Sequence, residues 1–496
     1  MPVSEQRLSQ IVQQVITRLA EDGKWQPVQH DTLAEPGSRM PGGSLANAAA
    51  TGNANEGIFA TLTEAITAAT KAQYILEWER TLGDRQAMIA AMRQAVLQNL
   101  EALAQLAVEE TGLGRVADKI NKNRLVATKT PGMEDLATTA WSGDHGLTLY
   151  ELAPWGVIAA ICPMTNPSET VICNAIGMIA AGNAVCFNPH PNARRITHFT
   201  IDMLNRALQS AGAPPNLITS VAEPTIQTAQ ALMNHPGIRL LVVTGGPAVV
   251  KVAMGSGKKV IAAGPGNPPA VCDESADLEK AGRDMVLGAS FDNNIVCCAE
   301  KEFIAVGAIA DPLKQVMKKN GALELDADQT ERLMKIILAI NKGPGQSSEV
   351  NKKFIGKDAK VILREIGLSV GDEVRIALCE VNRNHTLLYT EQLLPVIPLA
   401  RVRNFEEALE LAKETEQGMG HTASLHSRYV DRMSRMAKYL DTAIFVKNGP
   451  HYAGLGEGGE GPTSFTIAHP TGEGLTHARH FARLRRCTLV DAFRIV

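Results

Sequence analysis

The chain has 496 residues, 45% hydrophobic and 20% charged, which leaves room for two or three domains and excludes global disorder. Lys+Arg 49 against Asp+Glu 52 gives a formal charge of −3, so a chain-wide nucleic-acid surface is not expected. No apolar run approaches the ~20 residues of a membrane span, no charged-then-apolar leader opens the chain, and the eight cysteines show neither a CxxC pair nor a disulfide-like spacing.

The first elements stand apart. Leu8, Ile11, Val12, Val15, Ile16 and Leu19 recur at helical spacing and predict one apolar stripe, with Ser4 as its cap. Residues 31–57, rich in Gly, Ala, Pro, Asn and Ser, read as a flexible linker. Residues 58–122 read as helical, and 147–152 (LTLYEL) as a strand. Apolar runs at 156–161, 184–187, 217–221, 240–243 and 260–262, each followed by turns and helices, imply a parallel doubly wound sheet. A second series begins near Ala270, with strands at 303–306, 360–363, 396–399 and 443–446 and helices at 326–340 and 405–416. The tail from Thr463 ends in another strand, CTLVDAFRIV. The fold class expected is α/β, in two doubly wound lobes.

Two motifs mislead. Gly454, Gly456 and Gly459 match GxGxxG, but no strand leads in and Gly461-Pro462 follows where a helix should start, so a turn is expected. His469, His477 and His480 lie near no thiolate or carboxylate set, and no metal site is expected.

Chemistry concentrates at Ser290-Phe291-Asp292-Asn293-Asn294-Ile295-Val296-Cys297-Cys298-Ala299-Glu300, between an expected helix (278–287) and an expected strand. A cysteine in such a junction can sit on exposed backbone with its own N–H toward a bound carbonyl. Its thiolate is the attacking species, and a dipole or cation is expected to lower its pKa. Two small thiols packed beneath a strand would look the same by residue type.

The surroundings settle the preference. Pro154-Trp155-Gly156-Val157-Ile158, Val243-Thr244-Gly245-Gly246, Glu391 in TEQLLPV and Cys297 occur in the order seen in the aldehyde dehydrogenase superfamily, which the chain resembles over nearly its whole length. Three departures narrow the resemblance. The Glu-Leu-Gly-Gly motif, whose Glu activates hydrolytic water in ordinary members, is here Ala263-Gly264-Pro265-Gly266. Asn188, before Pro189, replaces a ribose-binding Lys, and Cys162-Pro163-Met164-Thr165-Asn166-Pro167 replaces Pro-Trp-Asn-Phe-Pro. These variants, with Glu110–Arg115, Lys119, Asn123, Phe291–Asn294 and Gly461–Ser464, are similar to the CoA-acylating aldehyde dehydrogenases of bacterial microcompartments.

That resemblance implies oxidation of a short-chain aldehyde, propionaldehyde first and acetaldehyde next, to its acyl-CoA with NAD. Cys297 is then the nucleophile, with Cys298 its rival, and Asn166 the oxyanion donor, with Thr165 one register away. Thr165, Asn188, Pro189, Thr244, Gly245, Gly246 and Glu391 bind cofactor, no metal is used, and coenzyme A resolves the thioacyl enzyme. It also implies an encapsulation helix (1–20), linker (21–57), cofactor domain (58–265, interrupted by an arm strand near 141–152), catalytic domain (266–462) and β oligomerisation arm (463–496). The expected partners are the aldehyde, coenzyme A, a microcompartment shell or other cargo through residues 1–20, and further copies in a dimer or tetramer, but no nucleic acid or membrane; the location is cytoplasmic, inside a microcompartment. A same-fold enzyme releasing free acid or acyl phosphate, and a non-enzymatic shell-associated protein, are the alternatives.

Overall fold

The computed structural model describes residues 56–496; the stripe and linker expected before them lie outside the described residues. Six parallel strands form the first sheet, in the order Ile58–Phe59, Ile218–Val221, Ala184–Asn188, Val157–Ile161, Ile238–Thr244, Lys259–Ala263. The three strands Val157–Ile161, Ala184–Asn188 and Ile218–Val221 are buried at every residue, as short Val/Ile/Ala runs covered by helices on both faces must be. Strand order reverses at Val157–Ile161, whose neighbours are Ala184–Asn188 on one side and Ile238–Thr244 on the other. A crevice therefore opens beyond the carboxyl ends of Val157–Ile161 and Ile238–Thr244, the usual ligand position in open α/β sheets.

Seven parallel strands form the second sheet, ordered Ala322–Leu325, Ile376–Val381, Val396–Val402, Glu302–Val306, Pro269–Cys272, Thr422–His426, Ile444–Lys447. A third, antiparallel sheet joins Thr139–Gly143, Gly146–Pro154 and Ala482–Val490. Within the tail, Phe465, Ile467, Ala468, Ala478 and Phe481 belong to the core of the first lobe, so the arm expected over 463–496 divides, and only Ala482–Val490 extends into the arm sheet.

Several local expectations change. Residues 58–59 form an edge strand against Ser220 and Val221, and helix begins only after Thr61, whose hydroxyl and Glu64 close a capping box. Residues 360–363 (KVIL) lie in the helix Ala359–Arg364, which buries Ile362 and Leu363; the strand of this region is Ile376–Val381. The helix expected over 326–340 stops at Ile337, and Leu338–Ile340 pairs with Glu349–Val350 instead. The Gly454–Gly459 segment is a turn: Lys129 Nζ donates to the carbonyls of Gly456 and Gly459 at 2.5 and 2.9 Å.

Gly114 marks a point where backbone and charge meet. It has φ +74°, and a Cβ there would lie 2.0 Å from Asp292 Oδ1. Gly114→Ala is expected to add about 1–2 kcal/mol of left-handed strain and to displace the Asp292 carboxylate. Calorimetry should show a lower unfolding midpoint than for the natural chain.

Candidate active site

The loop between the helix Leu278–Ser290 and the strand Glu302–Val306 carries Cys297. It leaves the helix through Asp292, Asn293 and Asn294, at φ 48°, 55° and 67°. Three successive left-handed residues are costly for most side chains and least so for Asp and Asn, whose short polar groups bond locally. Each does so here. Arg115 N donates to Asp292 Oδ1 at 2.7 Å; Asn293 Nδ2 donates to Gly356 O and Asp358 Oδ1; Asn294 Nδ2 donates to Ala289 O and Glu300 O. Lys301, fully buried, closes the loop from below, donating to Asn294 O, Asn294 Oδ1 and Val296 O at 2.7, 2.7 and 3.1 Å.

The two cysteines at the turn differ. Cys297 is half-buried and reachable; Cys298 is buried, its carbonyl accepting from His451, and its thiol is pushed well above the ordinary range by burial and the neighbouring Cys297. Burial also pushes the Cys297 thiol up to about 12; Glu391 adds to the rise, while Lys301 and the N–H groups of Cys297 and Cys298 oppose it. The expected cation and dipoles are thus present, yet burial outweighs them and the net shift is upward. Glu391 is held by the N–H of Gly266, 3.4 Å from Oε1, and its own carboxyl is raised by burial against the pull of Lys301.

Ala263 ends its strand beside Thr244, and its carbonyl accepts from Gly245 N at 3.2 Å. The loop that Glu391 grips therefore begins with a methyl group. His421 packs its ring against Gly266, where a Cβ would lie 2.7 Å from Cγ, and against His469, with ring centroids 4.7 Å apart. Burial first, then His469, holds it well below the usual histidine range, so it is neutral, with Nδ1 on Thr422 and Nε2 without a partner. Nothing in its sequence neighbourhood signals this.

Across the crevice, Asn166 precedes the helix Pro167–Ala180, every residue of which is buried. Its Oδ1 accepts from Lys122 Nζ at 2.7 Å and its Nδ2 donates to Thr165 Oγ1 at 3.2 Å. Lys122 and Lys119, both buried, reach Asp292 Oδ2 at 2.6 and 3.0 Å, so Thr165 and Asn166 are tied to the loop of Cys297.

Thr244, Gly245 and Gly246 lead into the helix Pro247–Met254, whose capping residue Gly246 contributes no side chain; nothing lies within 4 Å of where a Gly246 Cβ would stand. Thr244 Oγ1 contacts Thr466 Oγ1 at 3.0 Å. A bare glycine turn at a helix N-terminus, at the sheet's switch point, fits the pyrophosphate of a dinucleotide. Asn188 is buried at the end of its strand, with Oδ1 accepting from Thr228 Oγ1 at 2.7 Å and Nδ2 on Pro189 O at 3.3 Å. Its amide ties the strand to the helix Ile226–Asn234.

The Aldehyde dehydrogenase family model matches residues 44–461. The chain is 48% identical to acetaldehyde dehydrogenase (acetylating) of Bilophila wadsworthia, over the full length of both. A propionaldehyde dehydrogenase from the Clostridium phytofermentans fucose utilisation bacterial microcompartment superposes with a TM-score of 0.86 at 45% identity, covering 89% of this chain and all of that one. The Rhodopseudomonas palustris propionaldehyde dehydrogenase with bound CoA and an acylated cysteine superposes with a TM-score of 0.85 at 48% identity, covering 88% and 98%.

The opposed charges at Cys297 give a direct test. Glu391→Gln removes the carboxylate that raises the thiol, so at about pH 8 the thiolate fraction and the rate of iodoacetamide alkylation of Cys297 should rise several-fold. Mass-spectrometric timing of the labelled peptide reads it; an unchanged or slower rate would contradict the charge assignment.

Proposed function

The chain belongs to the aldehyde dehydrogenase family, and from that premise we propose that it oxidises a short-chain aldehyde, propionaldehyde before acetaldehyde, to its acyl-CoA with NAD. The observation that carries this reading is the pairing of a reachable Cys297 with a methyl group, Ala263, at the head of the loop that Glu391 grips. A family member without a carboxylate there lacks the base that would activate water, a deficit worth ~10²–10⁴-fold in rate. A thioester formed on Cys297 then persists until a stronger nucleophile, the thiol of coenzyme A, arrives.

Cys297 Sγ attacks the aldehyde carbonyl and forms a C–S bond. The resulting oxyanion is met by the Cys297 N–H and the Nδ2 of Asn166, one such donor being typically worth ~3–4 kcal/mol. Thr244, Gly245, Gly246 and Glu391 would hold NAD, which supplies the hydride acceptor. Collapse of the hemithioacetal leaves the acyl group on Sγ; coenzyme A attacks the same carbonyl, and Cys297 departs as thiolate. Asn188 and Pro189 shape the adenosine side of the site through Thr228 rather than by free side-chain donors.

The encapsulation role of residues 1–20 rests on their apolar stripe, six side chains worth ~1.5–3 kcal/mol each when buried, and on the microcompartment source of the Clostridium phytofermentans relative. Docking of an amphipathic helix in a groove of a shell protein or another cargo fits that stripe. Self-association into a dimer or tetramer runs through the arm sheet, where Trp141, Leu484 and Val490 are exposed. Among the described residues no helix is long and apolar enough to cross a membrane.

Cys297→Ala is expected to abolish acyl-CoA formation from propionaldehyde while NAD still binds, and Cys298→Ala to keep most turnover; the reverse pattern would move the nucleophile to Cys298. Deleting residues 1–20 should leave the turnover and thermal midpoint of the purified enzyme unchanged and abolish its co-purification with shells. Loss of activity or stability in the truncation would make that segment structural.

A further inference from the structure

We propose that Lys122 is a positioning residue: it captures the oxygen of the Asn166 amide so that the NH2 is left to donate, and holds that amide in place against the loop of Cys297. The inference rests on Asn166 acting as an oxyanion donor.

Asn166 occupies the N-cap position of Pro167–Ala180, yet its side chain makes no capping bond. An N-cap Asn ordinarily spends its oxygen on a backbone N–H of the first turn. Here the oxygen is on an ammonium instead. Lys122 Nζ donates to Asn166 Oδ1 at 2.7 Å and lies in ion-pair contact with Glu169 Oε1 at 3.0 Å and Asp292 Oδ2 at 2.6 Å, with Lys122, Glu169 and Asp292 all withdrawn from solvent. Rotating the amide by half a turn would set NH2 against NH3+. That exchanges a charge-assisted bond for two facing donors in a site where water cannot compensate. The amide is therefore locked. One Nδ2 proton goes to Thr165 Oγ1 at 3.2 Å, which leaves the other to donate.

The same ammonium spans the two lobes. Asn166 follows a strand of the first sheet; Asp292 opens the loop that feeds the second and that carries the N–H of Cys297. Lys119 repeats the bridge, with Nζ 3.0 Å from Asp292 Oδ2 and 3.4 Å from Thr165 O. Two cations and two anions, Lys119, Lys122, Glu169 and Asp292, thus set how far apart the two oxyanion donors stand.

The test is a double-variant cycle read by single-turnover acylation. Asn166→Ala and Lys122→Met should each slow acylation by about 100-fold, the range for loss of one oxyanion donor, with KM for NAD little changed. The double variant should lose little more, because an amide without its anchor already contributes little. Lys122→Gln, which still offers a donor to Oδ1, should recover part of the rate. Multiplying losses, or a fast Lys122→Met enzyme beside a slow Asn166→Ala one, would overturn the positioning role alone. A fast Asn166→Ala enzyme would overturn the oxyanion reading beneath it. If neither Lys122 variant yields a folded enzyme, the residue is structural and the proposal fails.

Discussion

Asp292 sits where three demands meet: a left-handed backbone, a buried negative charge and the connection between two sheets. Its carboxylate accepts from Arg115 N, Lys119 and Lys122, and Gly114 has no Cβ so that the carboxylate can fit. Taking each of these ions out of water costs several kcal/mol, and replacing such a cluster by well-packed apolar groups is often neutral or stabilising. Stability is therefore a weak reason for four buried charges at this place. Geometry is a stronger one, because the cluster fixes a loop in a backbone conformation that most sequences avoid and ties it to the turn carrying Thr165 and Asn166.

The electrostatics of Cys297 follow from what surrounds that loop. Lys301 is spent on three oxygens of the loop itself, so its charge reaches the thiol without a direct hydrogen bond to it. Glu391 opposes it, and burial opposes it more. The net result is a thiol pushed upward, and its reactivity follows the small fraction present as thiolate. Glu391, whose charge adds to that rise, is half-buried and gripped by a single long bond from Gly266.

What could be read from the sequence was whatever lay within one contiguous stretch. The Asp292–Cys297 loop, the Ala263 substitution and the Thr244–Gly246 turn each announce themselves in a few adjacent residues, and the alternation of strand and helix gives the two doubly wound sheets. Residues 360–363 show the limit: three apolar residues after a lysine do not say whether their period is 2 or 3.6, and here a short helix took them. The helix from Ala327 stops because Leu338–Ile340 finds a strand partner in Glu349–Val350, a tertiary pairing that no local propensity encodes. Lys122, Lys301 and His421 were missed for the same reason. Each is an ordinary residue in its own segment, and each acquires meaning from groups that folding brings to it: Asn166 and Asp292, the Asn294 and Val296 carbonyls, and Gly266 with His469.

The replacement of a carboxylate by Ala263 gains its force from this architecture. A missing base alone would only make the enzyme slow at releasing acid. On the proposed reading the acyl group is carried by Cys297 on a braced loop, and fixed geometry favours attack by a bound nucleophile over attack by mobile water, because a bound partner has already given up its translational freedom. Neutral His421, its Nε2 without a hydrogen-bond partner, packs on the Gly266 loop that Glu391 grips. On that reading the centre departs from hydrolysis because Ala263 leaves it without the group that would ionise water, while the loop of Cys297 is braced by Lys301 and Asp292.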